Sequence, residues 1–234
     1  MLSNSTTRCL RLLAFLIAAL GLGGAAFAHA IGGKDAAFVA ATHGPAVGPF
    51  LYLGAKHMVT GYDHLLFLLG VIFFLRRLRD IVLYVSLFSL GHSITLLSGV
   101  LVGFGVNSFL VDAVIGLSVV YKAFDNLGGF ESTVRMRPDP RFMVLGFGLV
   151  HGLGLATKLE ELKLHRDGLL ANLISFNVGV ELGQIVALSL LLAVLVAWRR
   201  TRWFDSTAVA ANWLIMTAGF LLIGYQLAGY FIGA

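Results

Sequence analysis

The sequence is poor in cysteine, proline and charge. Among its 234 residues there is one cysteine, Cys9, there are four prolines, and 12% of the residues are charged. Cys9 lies in a predicted signal peptide, so the mature chain can form no disulfide and can offer a metal no thiolate. Soluble domains average roughly 25% charged residues. A charged fraction half as large, beside 58% hydrophobic residues, excludes an ordinary soluble domain.

The first residues have the three parts of a secretory signal peptide. Arg8 and Arg11 form the basic part, residues 12–22 the apolar part, and residues 26–28 an A-x-A cleavage site. Cleavage after this site leaves His29 as the first mature residue, whereas an uncleaved segment would be a seventh helix. The predicted division is a signal peptide, an extracytoplasmic segment and one membrane domain, at residues 1–28, 29–49 and 50–234.

Apolar stretches of the length that spans a membrane recur along the mature chain. We therefore predict an all-α fold, a polytopic membrane helix bundle with six transmembrane helices after the signal peptide. The fourth stretch is short and rich in glycine, which is unusual for a straight membrane helix. The six stretches lie at residues 50–75, 81–103, 108–127, 142–157, 168–197 and 207–233.

Arginine is distributed unevenly among the connections between these stretches. Loops on the cytoplasmic side of a membrane are enriched in Lys and Arg. The odd-numbered connections are therefore predicted to be cytoplasmic, and both mature termini extracytoplasmic, in a bacterial inner membrane. The same bias explains the net charge of +5 without nucleic acid as a partner. The arginines of the first, third and fifth connections are Arg76, Arg77, Arg79, Arg135, Arg137, Arg141, Arg199, Arg200 and Arg202.

Several polar residues fall where they are costly, inside the predicted spans. Counted at about 1.5 Å per residue, those near the midplane come from four different spans. Their joint occurrence at one depth favours a metal or proton site, although each alone could be a hydrogen-bonding residue between helices. They are Asp63, His64, His92, His151, Asn177 and Glu181.

Helical spacing relates some of these residues to others. Asn177, Glu181 and Gln184 share one face of the fifth span, because they are spaced i, i+4 and i+7. His57 shares a face with His64 but lies roughly 10 Å away along a straight helix. The two histidines are then successive stations of a path, unless Gly61 breaks the helix between them.

Neutral imidazole suits nickel, zinc, copper(II) and iron, whereas copper(I) favours sulfur ligands. We predict a site for a divalent transition metal ion, in which a carboxylate either binds the metal or fixes a histidine tautomer. The predicted ligands are His64, His92, His151, Asp63 and Glu181. Supporting or relay roles are predicted for Asn177, Gln184, His57 and Asp112, although Asp112 could also be an ordinary interfacial residue. Histidines that could capture metal outside are His29, His43 and His165.

The segment His57–His64 has the form H-x-x-x-G-x-D-H and resembles the first-helix signature of the HupE/UreJ family. These are membrane accessory proteins of hydrogenase and urease systems, regarded as nickel permeases. The segment is also similar to the H-x-x-x-x-D-H element of nickel/cobalt permeases, with one extra residue. The family commonly has Glu at the start of its third span, where this chain has Asp112. Further blocks similar to the second HupE/UreJ-like group are residues 61–69, 88–96, 147–154 and 176–184.

The resemblance implies nickel as the cargo, uptake toward the cytoplasm, and hydrogenase or urease maturation proteins as partners. The residues themselves leave cobalt, zinc, copper and iron open as the metal. We therefore expect a transporter and not an enzyme. Three alternatives stay open, namely an intramembrane metalloenzyme that activates water, a haem-binding electron carrier and an assembly factor that transports nothing.

The predicted topology is tested by reporter fusions along the chain. Fusions at Arg77, Arg137 and Arg200 should report the cytoplasm, and a fusion at Ala234 should report the outside, because the arginine-rich connections stay inside. A cytoplasmic C-terminus contradicts six mature spans, since it requires an odd number of crossings.

Overall fold

The computed structural model of the chain describes residues 34–135, 138–162 and 165–233. All regular elements in these ranges are helical, which confirms the all-α class. The predicted signal peptide and His29 lie outside the described residues. The α-helices are α1 Lys34–Ala41, α2 Val47–Thr60, α3 Tyr62–Ile72, α4 Leu78–Val102, α5 Ser108–Asn126, α6 Pro140–Glu161, α7 Leu169–Arg199 and α8 Phe204–Ile232, with a π-helical turn at Phe130–Val134.

Four of these helices, α4, α6, α7 and α8, are long and apolar enough to cross a membrane. Their outer faces are apolar: on α7, Ile185, Leu190 and Val194 are 61%, 63% and 58% exposed. A large exposed apolar surface is stable against lipid and not against water. By length and composition, therefore, four helices of the described chain qualify, where the sequence predicts six spans.

The two remaining predicted spans are not uninterrupted apolar helices. Helix α5 has 19 residues, but Asp112, Lys122 and Asp125 interrupt its apolar character. The first predicted span, 50–75, is two short helices, α2 and α3, each too short to cross alone. The short, glycine-rich fourth span is, in contrast, the continuous 22-residue helix α6.

Gly61 separates α2 from α3. Its backbone is extended, with φ −74° and ψ 92°, and it serves as the C-cap of α2 and the N-cap of α3. The backbone N–H of Gly61 donates to the carbonyl oxygen of His57 at 2.8 Å, and Gly61 in turn accepts from Leu65 at 3.0 Å. The helix therefore breaks at the residue that stands between His57 and His64.

The other end of α3 is capped by an arginine from far along the chain. The guanidinium group of Arg199 donates to the carbonyl oxygens of Ile72, Phe73 and Leu75 at 2.5, 2.5 and 2.7 Å. The last carbonyls of a helix have no partner within it. A charged donor therefore satisfies the end of this half-helix and ties it to the end of α7.

Glycines bring α4 and α6 together at backbone distance. A Cβ atom placed on Gly148 would overlap the carbonyl oxygen of Phe88, and one on Gly152 would overlap that of His92. The hydroxyl of Thr95 also crosses the contact, donating to the carbonyl oxygen of Leu149 at 2.6 Å. Small residues allow this approach between membrane helices, where dispersion and hydrogen bonds replace the hydrophobic effect.

Two further pairs are built in the same way. Helix α2 packs on α7, where Gly54 faces the backbone of Phe176 and Gly179 faces that of Leu51. Helix α5 packs on α8, where Gly116 and Gly219 face each other. The bundle therefore consists of three close pairs, α2 with α7, α4 with α6 and α5 with α8, while α3 lies against α5.

Two glycines of α6 provide a matched test of this packing. Gly148→Ala should destabilise the protein by about 1–3 kcal/mol, because the new methyl group meets the Phe88 backbone and the core must shift. Gly146→Ala, on the same helix with open space around it, should be neutral or stabilising by about 0.5–1 kcal/mol. Thermal unfolding of the purified proteins in detergent measures both, and equal effects would contradict the close pairing.

Candidate functional site

Four histidines from four helices meet at His64, in the first turn of α3. The ring centre of His64 lies 5.2 Å from that of His57 on α2, 5.8 Å from that of His92 on α4 and 4.8 Å from that of His151 on α6. All three contacts are edge to face, with interplanar angles of 78°, 70° and 73°. These four residues are called the histidine cluster below.

The break at Gly61 explains why His57 belongs to this cluster. On a straight helix the two histidines would lie about 10 Å apart along the axis, and they were expected to be successive stations. The extended backbone at Gly61 instead brings His57 into ring contact with His64. Of the two readings that the sequence left open, the structure therefore supports a break at Gly61.

Three of the four rings of the cluster are withdrawn from solvent, while His57 is partly buried. His151 and Asp63 are 0% exposed, His92 is 1% and His64 is 2%. Across the described part of the chain, no hydrogen-bond partner reaches either ring nitrogen of His92 or Nε2 of His64. A buried polar atom left without a partner costs about 1–3 kcal/mol. Unsatisfied imidazole nitrogens in such a place are atoms whose cost a bound ligand would offset.

Hydrogen bonds fix the tautomers of two of these rings. Nδ1 of His64 lies 3.0 Å from Oδ1 of Asp63, and Nδ1 of His151 lies 2.8 Å from the carbonyl oxygen of Phe147. A carbonyl oxygen can only accept, so Nδ1 of His151 carries the proton, and an ionised Asp63 holds His64 in the same way. Both rings then present the lone pair of Nε2, the arrangement found in histidines that bind metals.

The separations of the rings match what a shared metal ion requires. Imidazole nitrogens bind zinc-like ions at about 2.0–2.1 Å, which puts the ring centres of two ligands roughly 5 Å apart at a tetrahedral angle. The three distances from His64 lie close to this value. Within the described residues, however, no three His, Cys, Asp or Glu side chains converge on one point as they stand. Binding a metal therefore requires the rings to rotate.

Asn177, Glu181 and Gln184 of α7 line a polar seam along α4. Asn177 donates to the Ser93 hydroxyl at 2.9 Å, Glu181 lies beside Ser89, and Gln184 donates to the Val85 carbonyl oxygen at 3.5 Å. The predicted shared face is therefore real, and it faces the helix that carries His92. Among the described residues no ion pair joins Glu181 to a ring of the cluster, so its role as a ligand stays a prediction.

Asp112, the other predicted relay residue, pairs with a lysine of α6. Its Oδ2 lies 2.7 Å from Nζ of Lys158, and the pair is buried, with side chains 4% and 15% exposed. Tyr62, next to Asp63, lies within electrostatic range of both carboxylates. Asp112 is therefore part of a buried ion pair between α5 and α6 and not an ordinary interfacial residue.

The remaining predicted residues lie away from the cluster. His43 and His165, both exposed, come from distant parts of the sequence and stack with ring centres 3.8 Å apart. Asn172 supports this region, since its side chain accepts from the backbone N–H of Ala46 at 2.6 Å and donates to the Gly44 carbonyl oxygen at 3.0 Å. The structure therefore joins two of the three predicted capture histidines.

The aromatic residues around the cluster are not anticipated by a search for chemically reactive side chains. The Phe67 ring lies 5.3 Å from that of His151, and the Phe88 ring lies 5.0 Å from it and 6.1 Å from that of His64. Each phenylalanine stands one helical turn from a histidine of the cluster on its own helix. That spacing is the signal in the sequence that could have identified them.

The apolar helices and the buried polar cluster define a helical membrane protein. Comparison with known families makes this more specific: residues 33–234 match the family model described as HupE / UreJ protein. The chain belongs to the HupE/UreJ family, as the four motif blocks predicted. No curated protein and no solved structure matches it significantly.

The bond between Asp63 and His64 can be tested by removing one charge. Asp63→Asn keeps the shape of the side chain but no longer holds Nδ1–H of His64 with a carboxylate, so affinity for Co²⁺ or Ni²⁺ should fall roughly 10–100-fold. Titration calorimetry on purified protein measures this. Asp35→Asn, at an exposed pair with Lys56, is the matched control and should bind as the parent does. Unchanged affinity in Asp63→Asn would contradict the role of this carboxylate.

Proposed function

We propose that this protein is a transporter that carries a divalent transition metal ion, nickel above all, across the bacterial inner membrane. The observation that carries the proposal is the histidine cluster, in which His64 lies within ring contact of three imidazoles from three other helices. A buried, neutral, nitrogen-rich site binds a borderline metal ion. It offers no thiolate for copper(I).

The broken helix at Gly61 supports transport. Transporters place their substrates at helices that are interrupted inside the membrane, where unwound backbone lines a cavity and is not exposed to lipid. Here α2 and α3 together make one crossing, and His57 and His64 stand on either side of the break. A hinge at this point would allow His57 to move relative to the other three rings as the metal passes.

With α2 and α3 counted as one crossing, and α5 counted despite its ionisable residues, the bundle has six crossings. The arginines of the connections α3–α4 and α7–α8 then face the cytoplasm. The stacked pair His43 and His165 lies before α2 and after α6, which is the extracytoplasmic side in this orientation. This pair is a capture point for metal arriving from outside, ahead of His57.

Family membership supports nickel as the cargo and uptake as the direction, through what the HupE/UreJ resemblance implies. Hydrogenase or urease maturation proteins are the expected recipients inside the cell. The polar seam and the Asp112–Lys158 pair supply no contact to the rings, so the Asp63 carboxylate is the group placed to offset the charge of the cargo.

Single substitutions of the buried rings test this function. His64→Ala, His92→Ala and His151→Ala should each abolish accumulation of Ni²⁺ and Co²⁺ in cells while the protein stays in the membrane, because each removes a nitrogen from a site of few ligands. Asn177→Ala, which removes a bond to Ser93 beside His92, should weaken accumulation without abolishing it. Glu181→Gln keeps the shape of this side chain and removes its charge, so a loss of metal accumulation in this variant would show that transport needs the charge.

His165→Ala separates capture from transport, since this histidine is exposed and belongs to the proposed capture pair. At saturating metal it should accumulate metal as the parent does, whereas at low metal it should accumulate less, because its KM is raised. If the three buried variants accumulate nickel, cobalt and zinc like the parent, the cluster has a packing role and the transport proposal fails. A visible haem absorption band in the purified protein would replace it with electron transfer.

A further inference from the structure

Three helices repeat the same order of residues on one side of the histidine cluster. One turn from His64, His92 and His151, each helix carries a phenylalanine, and one turn further each carries a residue that lines a cavity. The phenylalanines are Phe67 on α3, Phe88 on α4 and Phe147 on α6. The cavity-lining residues in the third position are Val71, Tyr84 and Val144.

The three phenylalanines, called the aromatic layer below, pack against one another. The ring centre of Phe67 lies 5.3 Å from that of Phe88 and 5.7 Å from that of Phe147. Phe67 and Phe88 are 0% and 1% exposed. On the side of the cluster, Phe67 and Phe88 contact His151. The layer therefore fills the space directly beside the rings with apolar atoms, and no polar side chain belongs to it.

Beyond this layer lies a cavity of about 310 Å³. It is bounded by the end of α3, the beginning of α4, the last turn of α5 and the beginning of α6. By register along α3, α4 and α6, the cavity lies about 10–12 Å from the histidine cluster. At about 30 Å³ per water molecule, this volume holds a divalent cation together with a shell of about six waters.

The charged and amide side chains of the cavity come from α5. Nζ of Lys122 lies 2.5 Å from Oδ2 of Asp125 and 2.9 Å from Oδ1 of Asn126, and all three residues line the cavity. Phe74, which also lines the cavity, is 48% exposed, so the cavity lies next to the surface of the protein. That surface adjoins the arginine-rich connection between α3 and α4, the cytoplasmic side in the orientation proposed above.

We propose that this cavity is the inner vestibule of the transport path, where a divalent cation leaving the histidine cluster regains its water shell, and that the aromatic layer is the gate between them. The inference rests on the proposed function for its direction. Apolar constrictions close a path to ions because water and charge are unstable within them. Oxygen atoms of Asp125 and Asn126 suit a hydrated cation once the Lys122 ammonium group, which bonds to both, has turned away from them.

Labelling of single cysteines tests the vestibule without any need for transport. Cys9 is the sole native cysteine, so Cys9→Ser gives a background free of thiols. Val144→Cys places a thiol in the cavity wall, and a charged, membrane-impermeant thiol reagent should modify it in inverted vesicles and not in right-side-out vesicles. Leu190→Cys, on the 63% exposed outer face of α7, is the control and should react in neither. Equal labelling of Val144→Cys from both sides, or from neither, overturns the vestibule.

Leak measurements in liposomes test the gate. Phe147→Ala and Phe67→Ala should raise passive release of trapped Ni²⁺ at least several-fold above the parent, because the apolar barrier is thinned. Phe67→Leu, which keeps apolar bulk, should stay near the parent and guards against a folding defect in the alanine variants. The matched control is Phe142→Ala, at a 75% exposed phenylalanine of α6, the helix that also carries Phe147. Release at the parental rate in both alanine variants overturns the gate.

Different results contradict the transport function and the vestibule. A parent protein that moves neither Ni²⁺ nor Co²⁺ in these liposomes contradicts the proposed function. One-sided labelling of Val144→Cys would still support a vestibule closed by the aromatic layer. In contrast, normal transport by the parent with two-sided labelling contradicts the vestibule and leaves the metal transporter standing.

Discussion

Helices α4 and α6 approach to the distance of two bare backbones, because Gly148 and Gly152 face the carbonyl oxygens of Phe88 and His92. This contact fixes the positions of two residues of the histidine cluster. Each glycine lies beside or one turn from His151, so the same approach that joins the helices brings both His92 and His151 into ring contact with His64. In a membrane, where lipid is as apolar as the core, such backbone contact is a main source of helix association. The polar centre therefore depends on residues that have no side chain.

The second constraint is the end of a helix inside the bundle. Breaking the helix at Gly61 leaves backbone groups that lipid cannot satisfy. The structure satisfies them locally at the break and, at the far end of α3, with the guanidinium group of Arg199. A short helix held at both ends can carry His64 and Asp63 on its first turn with little freedom. The proposed transport path continues along α3 past Phe67 to the inner cavity.

Much of this could be predicted from the sequence, for reasons that also explain what could not. Apolar runs predict helices, and counting residues along them placed His64, His92 and His151 at one depth. A straight helix predicts the wrong position for His57. The one extended residue, Gly61, changes the direction of α2, which carries His57. Helical periodicity showed that Asn177 and Glu181 share a face, but periodicity does not reveal which neighbour that face meets. Length and composition identify four spanning helices in the described chain, and the six predicted spans stay a prediction, since ionisable residues in α5 and the break at Gly61 leave two of them atypical.

The central claim is that the histidine cluster binds a metal ion after its rings rotate. X-ray absorption of the protein loaded with one equivalent of Ni²⁺ tests this directly. The account predicts nitrogen ligands at about 2.0–2.1 Å, with the outer-shell scattering of at least two imidazoles, and loss of that scattering in His64→Ala. A spectrum of oxygen ligands alone, or one that is identical in the parent and in His64→Ala, would contradict it.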